Sequence, residues 1–142
     1  MATPREFLGS QRRYGRVADQ VFDGAELVSV RCRRLWLRHC SFRNADLRQA
    51  ILDGCHFLFC DLRYADLRGA SLRETSFVGC YLRGADLGNA DLSRARFGSV
   101  NTGTPAGRTD VTGANFSGAV LREIEASRVI GWPDDLPTGQ AS

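Results

Sequence analysis

The chain contains no lysine: its 19 basic residues are all arginine, which reads as GC-rich coding before it reads as a device. Proline is scarce, at four in 142 residues, and with fifteen glycines this excludes collagen-like and proline-rich chains. No apolar run approaches the roughly 18–20 residues that a membrane helix needs, so no membrane association is expected. The opening stretch from Met1 to Glu6 lacks the apolar core of a secretory signal, which leads to the expectation of a cytoplasmic chain. In that compartment five cysteines are free thiols and not a disulfide framework. Net charge is only +3, too little for a strong polyanion binder. What is present, 43% hydrophobic and 25% charged residues, is the balance of one globular domain.

Leucine or phenylalanine recurs at every fifth position. From Phe22 to Phe97 that phase holds one of the two at fifteen of sixteen places, Cys32 being the exception. Two residues earlier stands a small or apolar residue, as at Ala45, Cys60, Ala65 and Ala85, and the other positions are mostly Asp, Arg, Ser, Asn and Gly. A period of five fits neither a 3.6-residue helix nor a sustained two-residue strand. It fits a short extended piece followed by a turn. Alternate side chains of an extended piece point to opposite sides, so the small residue and the Leu/Phe share the inside. Asn44, Gly54, Gly69, Gly79, Gly84 and Asn89 then fall where a tight turn needs a permissive backbone.

The units Ala45-Asp46-Leu47-Arg48-Gln49, Ala65-Asp66-Leu67-Arg68-Gly69, Ala85-Asp86-Leu87-Gly88-Asn89 and Ala114-Asn115-Phe116-Ser117-Gly118 resemble the A-[DN]-[LF]-x-x repeat of the pentapeptide-repeat family. The resemblance runs from about Gln20 to Glu123 and implies an all-β fold, a right-handed quadrilateral β-helix (solenoid) with four units to a 20-residue coil. On that frame residues 20 apart stack in columns about 4.8 Å apart. Inward columns are predicted as Phe22/Phe42/Leu62/Leu82, Leu27/Leu47/Leu67/Leu87, Cys32/Leu52/Leu72/Leu92 and Leu37/Phe57/Phe77/Phe97. After Phe97 the phase slips to Val111, Phe116 and Leu121. Reading Val100–Thr104 as a degenerate unit and Pro105–Arg108 as four inserted residues restores it, for about five coils with a loop near 102–108.

Three segments follow. Residues 1–19 are expected to cap the bottom through a short helix, with Phe7 or Leu8 filling space left by Cys32. Residues 20–123 form the β-helix, and 124–142 form a C-terminal cap around Ile124, Val129, Ile130 and Trp132 with a frayed tail from Asp134. Family members often dimerise through a C-terminal coil, which implies a homodimer through that end.

The cysteines do not read as a reactive or metal centre. Cys40, Cys60 and Cys80 fall in one inner-corner column and Cys55 in another, where a small buried group is wanted. Zinc would want paired short spacings with histidines nearby, and there is no phosphate loop, nucleophile elbow or helical metal motif. The expectation is a protein that is not an enzyme, with no catalytic, cofactor-binding or metal-binding residues.

The outer faces carry the functional expectation. One holds an acidic column, Glu26/Asp46/Asp66/Asp86/Asp110, beside Arg48 and Arg68, and the face before it carries Arg43, Arg63 and Arg83. A third begins with Arg31, Arg33 and Arg34. The fourth is apolar outside, with Trp36, Leu58, Phe59, Val78 and Val120 next to His39 and His56. Such a cluster reads either as a protein contact or as a surface covered by the N-terminal segment. The expected function is a rigid scaffold that binds another protein through that face or an end cap. The alternative implied by the family is a resistance or immunity factor that binds DNA gyrase as a DNA mimic, disfavoured by the net charge of +3. Direct nucleic-acid binding through Arg12, Arg13, Arg16 and Arg31–Arg34 ranks lower, because no aromatic platform or groove-reading motif accompanies them.

Overall fold

Short extended pieces and turns do wind into a square solenoid. The computed structural model describes residues 2–139. Its strands are β1 (Arg16–Ala18), β2 (Trp36–Arg38), β3 (His56–Leu58), β4 (Ser76–Val78), β5 (Arg96–Gly98) and β6 (Glu125–Ala126). They pair in chain order as one six-stranded parallel ladder, Arg16 under Trp36 under His56 under Ser76 under Arg96. This ladder is side 4. The other sides stack through single bridges: Val21/Ser41/Asp61/Tyr81 on side 1, Glu26/Asp46/Asp66/Asp86 on side 2 and Arg31/Ile51/Ser71/Asp91 on side 3.

The residue between each pair of outward positions points into one dry core. Leu62, Leu67, Leu72 and Phe77, one from each side, are all fully buried. On side 4 the rings of Phe57, Phe77 and Phe97 stack with centroids 5.1 and 5.0 Å apart, the offset geometry that aromatic pairs favour.

The polar positions close the turns. On sides 1 to 3 the inward carbonyl accepts the amide three residues on, as Leu62 O does from Ala65 N and Leu67 O from Ala70 N, both at 3.1 Å. The outward Asp or Asn accepts the amide two residues on: Arg68 N to Asp66 at 3.2 Å, Ser93 N to Asp91 and Ser117 N to Asn115 at 3.0 Å. This local bond explains why the unit prefers Asp or Asn there. The next residue turns the chain with positive φ. Glycine is required at such a corner where a neighbour lies across it: a Cβ on Gly79 would come within 2.7 Å of the Phe59 ring.

After side 4 of the β5 coil the winding is interrupted. Tyr81 pairs with Asp110, Asp86 with Asn115 and Asp91 with Val120, a step of 29 residues in place of 20. The nine extra residues, 100–108, leave the coil and return through an antiparallel bridge between Ser99 and Arg108, with a 3₁₀ turn at Pro105–Gly107. Val100–Thr104 is therefore not a coil side, which corrects the expectation. Four uninterrupted coils run over 20–99, and the next is completed only beyond the loop. Counting 100–104 as a side had advanced everything after it by one face. Asp110 stands over Asp61 and Tyr81 on side 1, outside the acidic column, and Val120 stands over Asp91 on side 3, apart from Trp36.

Both ends are closed by the chain itself. Helix α1 (Pro4–Gly9) starts at Thr3, whose hydroxyl accepts the Glu6 amide. It lays Leu8 under the first coil: Leu8 is buried, and the Cys32 thiol donates to its carbonyl. Phe7 packs on Phe22. β1 lies within the segment assigned to the cap, so winding begins at Arg16, before Gln20. At the top Trp132 packs on Phe97 and Phe116 at 5.1 and 5.4 Å. Its indole N–H donates to Pro137 O, and Ala126 N donates to Thr138 O. The tail thus folds back over the last coil through Thr138 and does not fray at Asp134; residues 140–142 lie outside those described. Among the described residues no helix is long and apolar enough to cross a membrane.

Candidate functional site

Sides 1 and 2 are clothed in ion pairs. Within single units Arg48 grips Asp46, Arg63 grips Asp61 and Arg68 grips Asp66, each at 2.7 Å. Longer contacts link coils, Arg48 to Asp66 at 3.9 Å and Arg68 to Asp86 at 3.8 Å. Hydrogen bonds from these arginines hold the Asp46 and Asp66 carboxyls below the ordinary carboxylate value. The acidic column of side 2 exists from Glu26 to Asp86, continues as Asn115, and is locally neutralised.

Side 4 is dressed differently. Trp36 and His56, both outward at the start of their strands, stack with ring centroids 4.1 Å apart. His39 and Phe59, at the following corner, stack at 5.3 Å. Leu58 and Val78 lie half-buried beside them, and Phe59 is flattened against the coil above by the glycine at 79. Burial first, then the charges of Arg96 and Arg34, lowers the His56 pKa and favours the neutral ring. Trp36 remains 46% exposed. Six of the seven expected contact residues therefore share this region, and Val120 does not. The two histidines sit in separate stacks, not as a pair. Helix α1 lies under the end of the solenoid, so the described N-terminal segment seals the bottom and leaves this side bare.

Sequence reasoning missed part of the surface. A shallow groove of about 340 Å³ is lined by Arg16, Ala18, Trp36, Arg38 and Leu58, with its floor at Val17 and Leu37. Extending the 20-residue spacing one unit back from Trp36 would have placed Arg16 beside it.

The corner behind side 4 accounts for three of the five cysteines. Among the described residues no amide closes its turns in the way seen on sides 1 to 3. Instead Cys60 and Cys80 donate their thiols to the inward carbonyls of Leu37 and Phe57 one coil below, and the Thr109 hydroxyl does the same to Phe77 at 2.9 Å. All five thiols are free and buried. Burial pushes the Cys55 thiol up to about 12, far from a reactive thiolate at neutral pH. Among the described residues no group of His, Cys, Asp and Glu is placed to hold a metal ion.

The family model described as pentapeptide repeats (8 copies) matches residues 40–77 and 60–98. Residues 40–98 are thus pentapeptide repeats. No curated protein matches it in sequence. Among solved structures, the pentapeptide repeat protein Rfr23 from the cyanobacterium Cyanothece 51142 is similar at a TM-score of 0.65 and 21% identity, over 85% of this chain and 86% of that one. QnrB1, a plasmid-mediated fluoroquinolone resistance protein, matches at a TM-score of 0.41 and 20% identity over 81% of this chain and 78% of its own. HetL, a pentapeptide repeat protein involved in heterocyst differentiation regulation from the cyanobacterium Nostoc, matches at 0.27 and 20% identity over 92% of each. The likeness to Rfr23 shows the fold alone. Within that fold the outer positions of side 4 hold the aromatic stacks Trp36–His56 and His39–Phe59.

Proposed function

We propose that this pentapeptide-repeat protein is a non-enzymatic, rigid scaffold that binds another protein through side 4. One observation carries the reading: the stacked Trp36–His56 and His39–Phe59 pairs, with Leu58 and Val78, form an apolar patch that no described segment of the chain covers. Aromatic residues held in fixed stacks lose little freedom on binding, which is why they are frequent anchors of protein interfaces. Rigidity comes from the core, which the chain's own side chains fill.

The other expectations draw less support. A gyrase-binding DNA mimic needs a continuous negative field, and two of the four carboxylates of side 2, Asp46 and Asp66, are each matched by an arginine at 2.7 Å. At the C-terminal end Trp132 already packs on Phe97 and Phe116, which leaves less bare apolar surface there for a homodimer. The test replaces Trp36 and Phe59 together by alanine. Neither side chain reaches the core, so the variant should keep a cooperative melt, lowered somewhat by the loss of the Phe59 ring over Gly79, and capture of a cross-linked partner should fall at least about tenfold. Unchanged capture by a folded variant would remove side 4 from the reading.

A further inference from the structure

Two grooves of the solenoid differ in how their charges are balanced. That along side 3, about 620 Å³, is lined by Arg13, Arg33, Arg34, Arg73, Arg94 and Arg122, but also by Asp53, Glu74, Asp91 and Glu123. Most of its charge is spent internally: Arg73 pairs with Asp53 at 3.0 Å and Arg94 with Glu123 at 2.9 Å. The groove on side 4 has two guanidiniums, Arg16 and Arg38, and no carboxylate in its lining. Neither arginine forms an ion pair among the described residues; Asp19, at the next corner, engages neither, and Glu125, farther up, is taken by Arg96 at 3.4 Å. In the ladder Trp36 stands above Arg16, and Arg38 stands above Ala18 and below Leu58, so the two arginines take one diagonal of a square whose other diagonal is Trp36 and Ala18.

We infer that side 4 takes a segment of another protein in which a carboxylate stands beside an aliphatic or aromatic side chain. The apolar group lies over the Ala18 notch against Trp36, and the carboxylate meets Arg16 and Arg38. A guanidinium with no internal partner keeps its full set of donors for a carboxylate, and its planar fork suits that group. The apolar floor excludes water around the contact and strengthens it. A nucleic-acid strand fits less well, since two arginines over an apolar floor cannot follow a charge at each nucleotide. The inference rests on the reading of side 4 as a protein-binding face and adds the chemistry of what it binds.

The experiment titrates the full-length protein with a short synthetic peptide alternating aspartate with leucine and phenylalanine. Binding is followed by the indole N–H resonance of Trp36, identified by its absence from the spectrum of Trp36→Phe. Three controls accompany it: asparagine for aspartate, serine for the apolar residues, and a single-stranded oligodeoxynucleotide. The expected result is a shift at Trp36 with affinity at least about tenfold above every control, weakening as salt is raised. Arg16→Glu combined with Arg38→Glu should abolish the preference while the melting curve stays put. Equal binding of any control, no shift at Trp36, or an unaffected double variant would overturn the inference. Should the charge-reversed protein still capture a partner that the Trp36/Phe59 double-alanine variant loses, the protein-binding face survives and only its acidic ligand is refuted.

Discussion

Sides 2 and 4 are wound from the same five-residue unit and present opposite surfaces. On side 2 the residue before each inward leucine is a carboxylate, and two of the four serve two purposes: Asp46 accepts the Arg48 amide and guanidinium, and Asp66 accepts the Arg68 amide that closes the turn and receives the Arg68 guanidinium. That position is not free. On side 4 the three residues stay extended in the ladder, the turn is not closed by an amide, and the inward carbonyls of Leu37 and Phe57 are met by thiols from the coil above. No outward carboxylate is needed to hold the chain, so the outer positions are released to Trp36, His56 and Leu58. The difference teaches where to look in a repeat protein of this kind. A candidate surface is the side whose outer residues have no part in closing the turns.

The comparison holds only outside; inside, every side shares one core. Leu72→Arg, on side 3, should break the whole molecule. Leu72 is fully buried, and burying an unpaired guanidinium costs several kcal/mol, a large share of the roughly 5–15 kcal/mol that stabilises a domain. Calorimetry should show no cooperative transition, whereas Val21→Arg, outward on side 1 and 70% exposed, should stay within about 0.5 kcal/mol of the parent. Cooperative, parent-like melting of Leu72→Arg would mean that the sides do not share an interior.

A smaller effect tests the corner chemistry. Cys60→Ala removes the thiol that donates to Leu37 O and should cost about 1–2 kcal/mol, from the lost bond and the lost volume. The reciprocal change Ala65→Cys, at a fully buried corner where an amide already closes the turn, should also destabilise, by about 1–3 kcal/mol through overpacking. Denaturant midpoints compare the two. If Cys60→Ala is neutral, the thiols are fillers and side 4 has no corner chemistry of its own.

Much of this was legible because the repeat writes its physics locally. Leu/Phe at the core, Asp or Asn at the turn and glycine at the corner each satisfy a constraint that spans five residues, so the inward columns and the cysteine column could be drawn before any coordinates. What lay beyond reading is where local chemistry imitates a repeat without the ladder. Asn101 accepts the amide of Gly103, and Gly103 turns with a φ of 79°, as in a coil corner, yet no coil lies beneath to pair with it. Thr109 restarts the winding where cysteine had marked the corner in the three coils before, which hid the true length of the excursion and put Asp110 and Val120 on the wrong sides. β1 escaped for a similar reason: Val17 takes the inward place that Leu or Phe holds elsewhere, and a β-branched residue fits it.

The smallest expected effect separates the two duties of the side 2 carboxylates. Asp66→Asn keeps an acceptor for the Arg68 amide and discards the charge, while Asp66→Ala discards both. If turn closure is what the position is for, asparagine should melt close to the parent and alanine should lose about 1 kcal/mol, the worth of one hydrogen bond. Acid sharpens the distinction. The Arg68 bond depresses the folded-state pKa of Asp66, so the charge contributes fully above the unfolded carboxylate value near about 3.9 and is lost as pH falls through the depressed folded value. Any gap between the parent and Asp66→Asn should therefore close on acidification, while the gap to Asp66→Ala narrows but persists. A variant with asparagine as unstable as that with alanine would show that the ion pair, and not the turn, holds the acidic column in place. The contrast between side 2 and side 4 would then be one of charge alone.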